Sequence, residues 1–293
     1  MSGQNYWGGS DLVFQCLVDE ERVLGFKKII EKCVKKGDIV VDLGTGTGIL
    51  ALLAAEAGAG LIYAIESDEN LHAITEQNLL ISKHSSRIKL IKADAAKIEL
   101  PEKVDVVICE MVATGLIDEL QVPVMNNIGK YCKDTTKMIP KKIVSFVEAV
   151  EAHEIFCGHK MHVIQYEYAW SRHPVPRALS EKVQYLEVDF RNPSTNEVSF
   201  LKELSIKEVG NLNAIKITSV TIFPDDSILG STSSYCMPLI LPLPEMKVEK
   251  GDKVLIRINY KLCEGMKKLD YSAVVRKKDS LLGSPMTKKM YAS

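Results

Sequence analysis

The hydrophobic pattern of this chain changes character once, near residue 140. Before that point, short and nearly continuous apolar runs alternate with amphipathic stretches. Val40–Leu43, Leu61–Ile65, Ile88–Ala93 and Val104–Cys109 are strands by this pattern, apolar at successive positions and therefore covered on both faces. Ile49–Ala57 follows the first as a helix, and Asp68–Lys83 follows the second, with Leu71, Ile74, Leu79 and Leu80 at helical spacing. Ahead of the first strand, Leu12, Val13, Leu17 and Val18, then Val23, Leu24, Phe26, Ile29, Ile30 and Val34, predict two helices or one bent helix. Ser10-Asp11 is placed to cap the first, and Gly37-Asp38 turns the chain into the strand. Strands alternating with helices predict a parallel sheet.

From Lys141 onward no strong amphipathic helix is found. Ile143–Val150, Val183–Phe190, Ala214–Phe223, Pro238–Leu243, Val254–Tyr260 and Leu269–Val275 are short apolar or alternating runs. Turn signals separate them, among them Asn192-Pro193-Ser194, Pro224-Asp225-Asp226 and Glu249-Lys250-Gly251-Asp252. This texture predicts a mainly β second domain, sandwich or barrel. The expected division is 1–140, an α/β domain of Rossmann-like type, and 141–293, a β-barrel-like domain. The last dozen residues, with Gly283-Ser284-Pro285, are expected to be disordered.

Composition narrows the classes. The chain has 293 residues, 46% hydrophobic and 26% charged, which suits a soluble globular protein of one large or two ordinary domains. A formal net charge of −1 gives no general basic field, so nucleic acid is an unlikely partner. Basic residues gather only toward the end, from Lys267 to Lys289, and a solvated tail explains them. Seven cysteines, at 16, 33, 109, 132, 157, 236 and 263, form no C-x-x-C pair. An odd number without that spacing argues against a disulfide framework and a zinc site and suits a reducing, cytoplasmic setting. No apolar run reaches membrane-spanning length, and the first ten residues lack a signal pattern.

The candidate chemistry centres on Asp42-Leu43-Gly44-Thr45-Gly46-Thr47-Gly48. Glycine is required where a ligand or another backbone comes close, because a Cβ collides. The helix N-terminus after the turn presents free N–H groups. A dinucleotide fingerprint has its glycines as G-x-G-x-x-G, whereas here they alternate at 44, 46 and 48. The alternate spacing suits a nucleoside carrying an amino acid and no pyrophosphate, namely S-adenosylmethionine. Acidic residues stand at the ends of all four predicted strands, Asp42, Glu66, Asp94 and Glu110, where parallel sheets bind ligands. Glu66 is placed to accept from both ribose hydroxyls. Asp94 is placed to accept from the adenine amino group and Ala95 to donate a backbone N–H, although Asp94 is equally a helix cap.

Glu110 and Glu119 lie nine residues apart, about two and a half helical turns, so in one helix they point to opposite sides. A loop at Ala113-Thr114-Gly115 would bring both into one pocket. Paired carboxylates there repel unless a cation lies between them, and a guanidinium fits by shape and charge. The alternative is an exposed acidic helix holding Asp118-Glu119.

Taken together, these residues resemble the protein arginine methyltransferases over about Cys16 to His153. Cys16-Leu-Val-Asp-Glu-Glu-Arg22 is similar to the family's helix whose arginine holds the cofactor carboxylate. Leu43-Gly-Thr-Gly-Thr-Gly-Ile-Leu50, with Ala54-Ala55-Glu-Ala-Gly-Ala59, resembles its glycine loop and helix. Glu110-Met-Val-Ala-Thr-Gly-Leu-Ile-Asp-Glu119 resembles its double-glutamate loop, and Ile139-Pro140 falls where the family passes into its barrel. The resemblance implies a class I methyltransferase that uses S-adenosylmethionine, with Arg22, Asp42, Gly44, Gly46, Gly48, Glu66, Asp94 and Ala95 at the cofactor. It further implies Glu110 and Glu119 at the reaction, a protein arginine or related nitrogen as acceptor, and a homodimer. RNA, a small molecule, or an inactive cofactor-binding module are the alternatives. Three departures stand out. The Thr-His-Trp loop of the family is replaced by Ser233-Ser-Tyr-Cys-Met-Pro238, which removes the histidine expected to pair with Asp19. Only Tyr6-Trp7 stands for a tyrosine-rich start. The stretch between His153 and Leu179, where the family inserts a helical dimerisation arm, is short.

Overall fold

The structure, a computed structural model, describes residues 10–168, 172–191 and 196–278, with only the backbone for 10–12. Tyr6-Trp7, the turn at Asn192-Pro193-Ser194, Gly283-Ser284-Pro285 and the end of the basic tail lie outside the described residues.

Two helices open the chain, α1 (Ser10–Val18) and α2 (Glu20–Cys33), and Asp19 between them caps α2 by accepting from the Arg22 N–H at 3.2 Å. Five strands then form a parallel sheet: β1 (Ile39–Leu43), β2 (Leu61–Glu66), β3 (Ile88–Lys92), β4 (Val104–Cys109) and β5 (Cys132–Ile139). Their order is β3-β2-β1-β4-β5, with every neighbouring pair parallel. The chain winds one way from β1 to β3 and then crosses to β4, so the switch point lies between β1 and β4. Ligand crevices of open α/β sheets form at such a point, beyond the strands' carboxyl ends. Helices α3 (Ile49–Ala57), α4 (Glu69–Leu80) and α5 (Gln121–Ile128) join the strands. The apolar runs account for β1 to β4. β5 has no such signature, because it is an edge strand with Asp134, Thr135 and Lys137 exposed and only Thr136, Met138 and Ile139 buried.

Two residues separate β5 from β6 (Lys142–Glu151), the first strand of an antiparallel system, and the bond between Ile139 and Pro140 is cis. β6 pairs with Val183–Asp189 and Gly210–Ile222, and the latter pairs with Leu239–Val248. Glu197–Ser205, Lys253–Lys261 and Asp270–Arg276 form a second, three-stranded sheet. These sheets make a curled antiparallel β domain, and each of the six alternating runs is a strand in it. Glu197–Ser205 was not expected, since only Val198 and Leu204 of its nine residues are buried. Among the described residues no α-helix follows α5. One apolar core runs from Phe26 and Ile30 of α2 through Val41 and Ile108 to Ile143, Ile217, Leu241 and Ile258. Phe26 meets Phe223 edge-on at 5.3 Å and Tyr235 at 6.0 Å between ring centroids.

Candidate methyl-transfer site

The glycine loop leaves β1 at the switch point. Gly44, Gly46 and Gly48 all have φ in the left-handed region, at 71°, 56° and 84°. A Cβ on Gly44 would stand 2.9 Å from the Met111 sulfur, and one on Gly48 would stand 3.2 Å from Thr75 Cγ2. Gly46 differs, because a Cβ there would make only ordinary van der Waals contact, 3.9 Å from Val13 Cγ1. The loop is held from below and from the side. Ile65 O accepts from Gly44 N and Thr45 N at 3.0 and 2.9 Å. Thr75 of α4 donates to Gly46 O, and Asn78 donates to Thr47 O at 3.1 Å.

The four acids fall on neighbouring strands, in the order Asp94, Glu66, Asp42, Glu110 along the sheet edge. Asp42 is buried and accepts from the Thr45 hydroxyl at 2.6 Å. Burial pushes its carboxyl up to about 7, with Glu66 and Glu110 adding to the rise and the Thr45 and Ala51 hydrogen bonds opposing it. Glu66 is also buried, accepting from Gly46 N at 3.0 Å and Asp68 N at 2.9 Å. A carboxylate has about four acceptor positions, so capacity for a diol remains. Asp94 serves as a turn cap, accepting from Ala96 N at 2.9 Å and pairing with Lys97 at 3.0 Å. Ala95 is buried beside it, and its carbonyl accepts from Asn127 Nδ2 at 3.1 Å.

Glu110, directly after β4, forms an ion pair with Arg22, and both side chains are largely buried. Arg22 also donates to Cys16 O at 2.8 Å, while its Nε is buried with no hydrogen-bond partner among the described residues. Asp118-Glu119 lies in no helix. Gly115, Leu116 and Glu119 adopt φ of 68°, 51° and 57°, so the chain loops back between the two glutamates. That geometry replaces the acidic-helix alternative. Glu119 is half-buried and faces the charges of Glu110, Asp118 and Arg22. Burial first, then Glu110 and Asp118, hold its carboxyl well above the usual carboxylate range, with Arg22 opposing. Gln121 pins both ends of the loop, donating to Cys109 O and accepting from Met111 N, each at 2.9 Å. The Cys16 thiol beside the pair is pushed up to about 11 by burial and Glu110, so it stays neutral.

The missing histidine has a structural replacement. Asp19 is buried and its Oδ2 accepts from the Thr232 hydroxyl at 2.5 Å, the Ser234 hydroxyl at 2.7 Å and Ser234 N at 2.8 Å. Burial alone would raise this carboxyl, and the hydrogen bonds outweigh it and lower it. Thr232 and Ser234 were not singled out in the sequence. The Ser231–Ser234 run of small hydroxyl residues was the available signal, but its partner lies more than 200 residues away. The same loop reaches the glutamate segment, where Thr114 Oγ1 donates to Met237 O at 2.6 Å.

Several known proteins are similar to this chain. A family model described as ribosomal protein L11 methyltransferase (PrmA) matches residues 26–151. An uncharacterized protein of Methanocaldococcus jannaschii is 38% identical over 250 residues, 85% of this chain and 91% of that one. Human protein arginine N-methyltransferase 9 is 31% identical over 166 residues, 50% of this chain and 20% of that protein. Among solved structures, the Trypanosoma brucei PRMT1 enzyme–prozyme heterotetrameric complex with AdoHcy superposes with a TM-score of 0.75 at 18% identity, over 93% of this chain and 95% of that one. Arabidopsis thaliana protein arginine methyltransferase 10 superposes with a TM-score of 0.77 at 16% identity, with the same coverage.

Proposed function

The chain belongs to the protein arginine methyltransferase-like family, and we therefore propose that it transfers the methyl group of S-adenosylmethionine to a guanidinium nitrogen of arginine in a protein. In this reading residues 1–140 hold the cofactor and 141–293 complete the acceptor site. The observation that carries it is the loop from Glu110 to Glu119, which folds back at the sheet's switch point beside a buried arginine.

The residues fit the cofactor. The unpartnered Arg22 Nε is a donor awaiting an acceptor such as a carboxylate, and beside Gly46 a Cβ would meet nothing nearer than 3.9 Å, which leaves room for the amino-acid part. Arg22 would hold the carboxylate, Gly44, Gly46 and Gly48 the amino-acid part, Glu66 the ribose, and Asp94 with Ala95 the adenine. Asp42 would steady the loop through Thr45. When bound, the cofactor supplies a methyl group already activated on a sulfonium. The chain's own work is alignment. Glu110 and Glu119 grip the acceptor's cation from two sides and aim one nitrogen along the line of transfer. Burial excludes water from that line and keeps the nearby Cys16 thiol protonated, so it does not compete as a nucleophile. Asp19 fixes the start of α2, and hence Arg22, through hydroxyl partners; loss of the family's histidine therefore does not by itself imply an inactive module. Homodimerisation belongs to the same reading, supported by the exposed Ile155, Met161, Val163 and Ile164.

Labelled S-adenosylmethionine offered to arginine peptides, RNA and a cell extract tests the reading. Label on arginine is the expected result. Label on RNA or on small molecules alone would replace the acceptor, and no label anywhere would leave a cofactor-binding module. Glu119→Gln should abolish most transfer while cofactor affinity stays within about twofold, because no cofactor contact is assigned to it.

A further inference from the structure

Three residues of the glutamate loop, Gly115, Leu116 and Glu119, have left-handed backbone. For the two that carry a Cβ, such conformations are costly and persist only where the surroundings over-determine them. The surroundings in question belong to the β domain. The Gly115 N–H donates to Ser219 Oγ at 2.9 Å, and the Gly115 carbonyl accepts from the Tyr260 hydroxyl at 2.5 Å. Ser219 and Tyr260 are both buried.

The direction of these bonds is forced. A carbonyl only accepts, so the Tyr260 proton points to Gly115 O, and the Tyr260 oxygen is left to accept. Tyr185 supplies that proton, its hydroxyl standing 3.1 Å away. Ser219 accepts from Gly115 and shares a hydrogen bond with Ser145 of β6 at 2.8 Å. Neither clamp is free to rotate away without leaving a buried polar group unpaired. A side chain at 115 is also excluded, since a Cβ there would lie 2.6 Å from the Tyr185 oxygen.

We propose that Tyr260 and Ser219 are positioning residues for methyl transfer: they grip Gly115 from both sides and so fix where Glu119 stands relative to Glu110. Neither touches cofactor or acceptor. They act through four residues of loop, and the β domain thereby sets the geometry of a carboxylate pair carried by the α/β domain. This rests on the reading of Glu110 and Glu119 as the acceptor's grip.

Tyr260→Phe removes one hydroxyl and keeps the ring. Backbone hydrogen exchange over residues 111–119 should accelerate about tenfold or more in this variant, while β1 and β4 keep their protection. With arginine peptide, kcat should fall by about tenfold to a hundredfold, the scale of an ångström-sized misplacement, with cofactor affinity unchanged. Ser219→Ala, which frees the other flank, should give the same pattern. A merely structural hydroxyl would lower the melting temperature and leave kcat intact at a temperature where the variant is folded. Unchanged exchange over 111–119 in both variants would overturn the clamp, and altered exchange with unchanged kcat would overturn its positioning role in methyl transfer. If the wild-type protein methylates no arginine, the exchange measurement still decides whether the clamp exists, and failure of the acceptor reading is seen separately.

Discussion

Glu119 is the residue whose charge the site has to control. Burial, with Glu110 and Asp118, makes the folded protein hold its proton more tightly than the unfolded chain does. Stability from this source is full below the unfolded value, about 4.3, and is lost as pH rises through the elevated folded value. Asp42 has the same sign, between about 3.9 unfolded and about 7 folded. Asp19 and Asp225, whose folded values are lowered, act oppositely and only in the acid range below. The unliganded protein should therefore weaken as pH rises from about 4 to about 7, the Asp42 window, with Glu119 adding to the loss, read from urea midpoints. Asp42→Asn should flatten that slope, and adding Glu119→Gln should flatten it further. Binding of an arginine peptide should lower the Glu119 carboxyl toward its ordinary range and so release protons, detectable by calorimetry in buffers of different ionisation enthalpy and absent in Glu119→Gln. Glu66→Ala should weaken S-adenosylhomocysteine by about 1–3 kcal/mol. Unchanged affinity by calorimetry would remove Glu66 from the cofactor site. At this scale the sequence was most legible in placing Asp42, Glu66, Asp94 and Glu110 at the carboxyl ends of neighbouring strands. The Arg22–Glu110 pair was hidden, because nothing local says that residues 88 apart will meet.

Among elements, the loop 231–238 is the most connected to the site. It holds Asp19 through Thr232 and Ser234, holds Thr114 through the Met237 carbonyl, and sends the Tyr235 ring against Phe26. Removing both hydroxyls, Thr232→Val with Ser234→Ala, strips a buried carboxylate of two charge-assisted bonds. The double variant should lose about 2–4 kcal/mol in urea unfolding. Asp19→Asn should lose less, because no unpaired charge remains. Elements buried on both faces were readable, as β1, β2 and β4 show, since their apolar runs have no other explanation. Edge elements were not: β5 and Glu197–Ser205 carry too few buried positions to leave a period. α5 escaped notice because it starts two residues after Glu119, in a stretch read only for its carboxylates.

For the whole molecule, the main apolar core crosses from the parallel sheet to the antiparallel ones. Far-UV and near-UV circular dichroism should therefore report one coincident thermal transition. S-adenosylhomocysteine at a hundred times its Kd should raise stability by about 2.7 kcal/mol. A fragment of residues 1–140 exposes Phe26, whose ring neighbours Phe223 and Tyr235 it lacks, and is expected to be insoluble or unfolded. The class of both halves was legible from the change of period near Pro140. Strand pairing in the second half was not, because alternating runs say which face is inward and nothing about which strand lies alongside.

The ion pair between Arg22 and Glu110 joins two binding events in one thermodynamic cycle. Arg22 is assigned to the donor's carboxylate and Glu110 to the acceptor's cation; a carboxylate taken by Nε and Nη2 together displaces Glu110 from Nη2, so either ligand parts the same two side chains. Whichever arrives first does so alone, and the second finds its residue already released. Each ligand then strengthens the other by one common factor, on the order of 5- to 150-fold for couplings of this kind. Titrating arginine peptide with and without S-adenosylhomocysteine, and the reverse, should return that factor twice. Donor and acceptor would thus be sensed together by a protein that has a separate place for each.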